Sequence, residues 1–504
     1  MPFKKTKFSF AFLFKRISAP LLLLMLCATQ SFGQLSTDKR VTIELNPNEN
    51  DEFNVVTYKD KGVVLVNSRS NNFGRDLTVS FIKFDTDLTE QWRTSYEPGF
   101  LFRMLKYFET ENHLYCLYRE EDTKNINILR LDVITGDYVV TETKLLTAMD
   151  IDLFKVIKSK ILIGGRYNDR PVVEMINLFA QSGKVLPEIH SNNIKLNNIE
   201  INEQEGLVYV LLKNSRNCKL LLKVYDYEGK IIGKQTLGEK NKLPLNGKVI
   251  KIPNGDYVLT GNYADNCSDY SVGFYTHSLT KEEETHYYDF VDLNNFLSYM
   301  PEKRRNRVSS RIKKKNLKGK DFKLRQRLLI QEPIGNDQGM TMLAEVFYPE
   351  YKNYTSNMYP VGRNYRWGAN NYYTFNNFRY THALILHFNK EGKLDWDNSI
   401  SLNDLQSRTL DHKVQLTAAQ NGAFVVAYPD EGIIKTTIVD GSSQTLEEIP
   451  LDLQSKNENI IDTYQSELSS WYAHSFIAYG IQTIRQHSNV YSKDVFYMSK
   501  LTYE

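Results

Sequence analysis

Short apolar runs, each closed by an acidic or polar turn and answered by a second run, recur along most of the chain. They stand at 79–85 (VSFIKFD), 128–132 (ILRLD), 172–176 (VVEMI), 221–226 (LLKVYD) and 383–388 (ALILHF). Runs this short, rich in Val, Ile, Leu and Phe and bounded by turn residues, read as buried strands rather than helices. Gly136, Gly183 and Gly229 follow three of them, 47 and 46 residues apart. A second set of turns, at Gly206, Gly255, Gly339 and Gly422, precedes a different strand. In two of these, Asn254 and Asn421 complete the Asn-Gly pair that favours a tight hairpin. Both sets describe one antiparallel four-stranded unit every 46 to 50 residues.

That period, with four strands per unit, is the signature of β-propeller blades. Units begin near Phe53, Phe102, Ile151, Ile194, Lys248, Arg325, His412 and Ile460. The pattern therefore predicts an all-β propeller of eight blades. Seven is the alternative, because the units beyond residue 402 are poorly marked, and a two-sheet sandwich is the other architecture considered. The last unit ends on its third strand, 495–501 (VFYMSKL), while 41–45 (VTIEL) is left without a unit. An N-terminal strand completing the last blade closes the ring without an open edge.

Charge changes the picture once it is divided. The 504 residues carry 63 Lys and Arg against 60 Asp and Glu, a formal +3. Residues 1–33 contribute +5 with no acid, residues 303–327 contribute +12, and the rest sums to −14. The first segment is a basic start (Lys4, Lys5, Lys7, Lys15, Arg16), an apolar run centred on 21–26 and small residues before Gln34. These are the parts of a secretory signal peptide, 1–33, which leaves 34–504 as the exported propeller domain. Lys15 and Arg16 interrupt any longer apolar stretch, and no later segment is long and apolar enough to span a bilayer. The expected location is the periplasm or the exterior, peripheral to the envelope if membrane-associated.

Two stretches depart from the repeat: 291–324, between the fifth and sixth units, and 349–380, the second-to-third loop of the sixth. Strands of a blade alternate in direction, so both insertions are expected on one face. In the first, Asp292 is positioned to cap a short helix carrying Phe296, Leu297 and Met300, and Val308 and Ile312 continue a narrow apolar stripe. Arg304, Arg305, Lys313, Lys314 and Lys315 would attract an anionic glycolipid, an acidic polysaccharide or an acidic protein surface. Nucleic acid fits the charge but not the compartment. The opposing reading is a solvated helix held by the acidic body. The second insertion is an aromatic, Asn-rich loop, with twelve aromatics across 347–380. Tyr365, Trp367, Tyr372 and Tyr373 would supply rigid amphipathic contact area to a sugar or a protein; the opposing reading is a loop packed upon itself.

Cys218 and Cys267, one repeat apart, fall in second-to-third loops of adjacent units. They read either as a disulfide stapling two blades or as two free thiols too far apart to bond. Cys116 reads as a buried strand residue. The nine His show no zinc-site spacing, and no phosphate loop, dinucleotide fingerprint or Gly-x-Ser-x-Gly occurs. No cofactor and no metal is therefore expected.

The turn phrases ending in Trp92 and Trp396 resemble the Asp-x-x-Gly-x-x-x-Trp turns of quinoprotein-like propellers. Enzymes of that family use adjacent cysteines and a calcium site; adjacent cysteines do not occur here. The order helix, Lys/Arg run, 339–345 (GMTMLAE), aromatic loop and 392–396 (GKLDW) also resembles uncharacterised exported β-propeller-like proteins of Gram-negative bacteria, which implies export and a propeller body. The resulting expectation is an exported, non-enzymatic propeller binding a protein or glycan partner at the cell envelope through its insertion-bearing face. The rival is a polysaccharide-active enzyme with carboxylates in the central funnel.

Overall fold

The computed structural model describes residues 35–71, 77–280, 284–355, 371–419, 422–430, 433–441, 443–445, 451–452, 458–486 and 491–503. The expected signal peptide at 1–33 lies outside them. The apolar runs form eight separate antiparallel sheets. In chain order the blades span 49–96, 102–144, 150–185, 194–237, 243–289, 328–407, 415–452 and 458–503. The count is eight rather than seven, and neither sheet-on-sheet layer of a sandwich is present among the described residues.

Burial within a blade follows position. Second strands such as Lys160–Tyr167 and Tyr257–Ala264 are buried along most or all of their length. Fourth strands such as Glu90–Tyr96 and Tyr138–Lys144 alternate or are largely exposed. The middle of a blade has neighbouring blades against both faces, so both side-chain directions must be apolar; the outer strand lies where blades diverge and one direction meets water. The hydrophobic core is accordingly divided into eight clusters, each shared by two adjacent blades. Each fully buried Leu, Ile, Val or Phe contributes about 1.5–3 kcal/mol, spread around the ring.

Closure uses the N-terminal strand. Leu35–Glu44 pairs antiparallel with Ser492–Tyr503, from Leu35 opposite Tyr503 to Glu44 opposite Val495. It becomes the fourth strand of blade 8. Across the closing interface Val55, Leu65 and Ile82 pack with Ile477, Phe496 and Met498, and Phe53 stacks on Phe496 at 4.1 Å.

Gly136 shows why one turn needs glycine. Its φ is +82°, and a Cβ there would fall 2.8 Å from the ring of Trp92 in the preceding blade. Gly183 differs from the sequence expectation: it lies inside the strand Ser182–Val185, and Gln181 takes the left-handed position of that turn with φ 47°.

Both insertions also differ in form. The segment 291–300 is a series of turns rather than an Asp292-capped helix. Phe296 is buried and stacks on Phe290 at 4.7 Å, which pulls the chain into the core instead of letting it wind. The α-helix α1 (Glu302–Asn316) begins only after Pro301. The aromatic loop expected at 349–380 is instead a β-ribbon over its described part. The strands Gly339–Thr355 and Asn371–Asn389 stay paired beyond the blade, out to Thr355 opposite Asn371. Tyr351 and Phe375 pack edge to face there at 6.1 Å, a cross-strand pair that makes continued pairing favourable.

Candidate functional site

Chain direction places α1, a blade-to-blade connection, and the ribbon, a second-to-third extension, on the same face. Their junction is built from the turn 291–300. Buried Asp397 accepts the backbone N–H of Asn294 at 2.9 Å and of Asn295 at 2.7 Å, and Asn295 Nδ2 donates to the Asp397 carbonyl at 3.0 Å. Ser399 Oγ donates to the Asn295 carbonyl at 2.7 Å and receives the Tyr299 N–H at 3.1 Å. So anchored, Tyr299 stacks on His382 of the ribbon-bearing strand at 3.6 Å. Burial holds His382 down to about 3 and so keeps the ring neutral, and it pushes the Tyr299 phenol up to about 12.

A cleft of about 650 Å³ opens between these elements, lined by Tyr299, Arg304, Tyr348, Arg379, Thr381, Ser401, Asn403 and Asp404. Arg379 is engaged by Glu350 at 3.2 Å and Asp404 at 4.0 Å. Arg304 is exposed at the rim, whereas Arg305 turns half-buried toward the body with Val308 and Ile312, the docked edge of the helix.

Beyond the helix, two cations of the basic run are tied down by carboxylates. Lys323 pairs with Asp289 and Asp321, and Arg325 pairs with Asp265 at 2.5 Å. Along α1 no cation pairs with a carboxylate among the described residues; Lys315 lies over the Phe322 ring at 4.7 Å. Glu302 in the first turn and Lys313, Lys314 and Lys315 in the last match the helix dipole. At 1.5 Å per residue those lysines sit about 15 Å along the helix from Arg304. Arg304 and the lysine cluster are thus separate parts of one face. Tyr372 and Tyr373 lie on the ribbon opposite Tyr354 and Asn353; their side chains, and Tyr365 and Trp367 entirely, lie outside the described residues.

Cys218 and Cys267 lie on the same face as a disulfide with Cα–Cα 5.5 Å, joining blades 4 and 5. Cys116 is a free, fully buried thiol, pushed by burial up to about 12.

The central funnel holds groups that no motif announced. Three adjoining cavities of about 230, 310 and 780 Å³ all reach Glu467. The smallest is lined by Tyr107, Asp411, His412, Lys413 and Tyr479 among others. His412 Nδ1 is 3.2 Å from Oε1 of Glu345, a carboxylate with 0% exposure. These residues come from blades 2, 6 and 8 and from the connection that leads into blade 7. The nearest sequence signal is that His412 opens a unit; its pairing with Glu345, 67 positions earlier, has no local signature.

No family model and no curated protein matches the chain. Among solved structures it is similar to the β-propeller domain of the Trilobed protease from Pyrococcus furiosus, described as an open velcro topology: 9% identity, 79% of this chain and 93% of that one, TM-score 0.33. It is also similar to polysaccharide lyase Uly1, at 10% identity over 79% and 89% with TM-score 0.39. An oligogalacturonate lyase in complex with manganese matches at 10% over 82% and 99%, again at 0.39. At these identities the likeness is one of propeller architecture alone.

Proposed function

We propose that this is an exported propeller that captures an anionic glycan on its insertion-bearing face. The observation that carries the reading is the contrast along the basic segment: Lys323 and Arg325 are paired to the body, while the eight Lys and Arg of α1 have no carboxylate partner among the described residues. A helix merely held by the acidic body would direct those charges inward. The cleft beside it is concave and polar with two tyrosines, which suits sugar rings better than a flat protein surface.

Retention of the protein on polygalacturonate and on a sulfated polysaccharide, against neutral dextran, tests this across a salt series. Affinity should fall steeply with salt, and Lys313→Ala/Lys314→Ala/Lys315→Ala should flatten the slope. Arg304→Ala should weaken binding at every salt concentration. Equal retention on dextran, or binding only to an acidic protein, overturns the glycan reading.

A further inference from the structure

The funnel carries a second constellation, independent of α1. Glu345 receives three hydrogen bonds: Oε1 from Gln331 Nε2 at 2.9 Å and from His412 Nδ1 at 3.2 Å, and Oε2 from the Lys413 N–H at 2.9 Å. The contact with Glu345 engages Nδ1 and leaves Nε2 as the ring nitrogen available to a substrate. The imidazole is 37% exposed while its orienting carboxylate is wholly buried. The ring therefore stands held by one nitrogen in the wall of a chamber of about 230 Å³, of the order of one sugar residue.

The same chamber is lined by Lys413, Tyr107 and Tyr479 together with the carboxylates of Asp411 and Glu467, and Lys413 also pairs with Asp411 at 3.9 Å. Burial, with Glu109, Cys116 and Glu467 adding to it, pushes the Tyr107 phenol up to about 12. Burial and Glu467 raise that of Tyr479 as well. Both keep their protons at neutral pH and can give one up only to a stronger base. Lys413 also lines the adjoining 780 Å³ cavity, which runs out to Arg408 on the insertion-bearing face. A polymer can enter there.

We propose that the funnel is a proton-transfer site that cleaves uronate-bearing polysaccharide by elimination, with His412 as base, a Tyr107 or Tyr479 phenol as acid, and Lys413 holding the sugar carboxylate. His412 Nε2 takes the proton from the carbon bearing the carboxylate. The electron pair of that C–H bond becomes a C=C bond as the neighbouring carbon–oxygen glycosidic bond breaks. The departing oxygen takes the phenolic proton, and solvent then returns the proton of His412 to the phenolate. Lys413 stabilises the charge that passes through the carboxylate. Nothing is oxidised and no water is consumed. Glu345 is a positioning residue, since it reaches the substrate only through His412.

The test incubates the full chain with polygalacturonate, alginate and hyaluronan and follows the ultraviolet absorbance of the conjugated C=C product. Absorbance should rise with at least one polymer, and His412→Ala should lower the rate by about 100-fold or more. His412→Gln provides the second variant if the alanine form fails to fold. Glu345→Gln should lower kcat more than it changes KM and should move the pH profile, which a purely structural carboxylate would not do. Retention of polymers with no absorbance change leaves capture standing and overturns the elimination site. A rate unchanged in a folded His412 variant overturns it too.

Discussion

Glu174 in blade 3 and Glu345 in blade 6 are equally hidden, both at 0% exposure, and each catches the backbone of a blade-to-blade connection. Glu174 gives one oxygen to the Leu146 N–H at 3.0 Å and the other to the Thr147 N–H at 2.7 Å, so its capacity goes to holding chain. Glu345 gives one oxygen to the Lys413 N–H and the other to Gln331 and the His412 ring. The same device, a buried carboxylate pinning a connection where two blades meet, becomes chemically expressive once a titratable ring facing a cavity takes the place of a second backbone amide. Burial alone is therefore not what distinguishes a site here. The partner and the cavity are.

The largest effect that would sharpen this contrast is Glu174→Ala, expected to cost about 2–4 kcal/mol because two buried N–H groups lose their acceptor. Urea unfolding measures it, and polymer retention should not change. A loss below about 0.5 kcal/mol would remove the pinning role. Burial raises the Glu174 carboxyl above its ordinary 4.5 despite its N–H partners. The folded chain then keeps a proton that the unfolded chain releases, so this group's contribution declines as pH rises above 4.5. The deficit of Glu174→Gln should accordingly shrink over that window.

Glu345→Gln should cost less, about 1–2 kcal/mol, because an amide oxygen still accepts one hydrogen bond. The informative change is in His412, whose imidazole should lose its fixed orientation and shift its nitrogen-15 resonances. An unaltered ring would separate Glu345 from His412 and make the two buried carboxylates alike.

Asp397 is an intermediate case, a buried carboxylate that anchors an insertion. Asp397→Asn should cost about 1 kcal/mol and raise hydrogen exchange at Asn294 and Asn295 roughly tenfold. Faster exchange spread over the whole blade would mean that the anchor serves the core instead of the turn.

The smallest effect belongs to the exposed helix. Lys313→Ala/Lys314→Ala/Lys315→Ala should shift stability by less than about 0.5 kcal/mol, since no carboxylate among the described residues pairs with them. A larger loss would show that the acidic body does hold α1.

Much of the fold was legible because propeller blades impose a period. Gly136 and Gly229 mark turns 93 positions apart, two blades, and the leftover strand near Val41 found its place by the need to cover an edge. Gly183 misled, because a glycine can lie in a strand and Gln181 could take the left-handed turn instead. The aromatic segment looks like a loop in the sequence because density of Asn and Tyr does not reveal pairing; register across Tyr351 and Phe375 does. Arg304 was legible as charge, but its place in a cleft with Arg379 and Tyr348, and the half-burial of Arg305, were not.

By itself the sequence determined the eight-unit repeat, the ring closure, and the segregation of a net +12 segment from a body of −14, because strand period, turn chemistry and charge are local properties. Only the tertiary structure decided which charges stay unpaired, that Cys218 and Cys267 lie within bonding reach, and that His412 meets Glu345 beside Tyr107 and Tyr479. These are contacts between blades. A ring brings residues hundreds of positions apart to one axis, and no local pattern of side chains encodes which of them will face each other there.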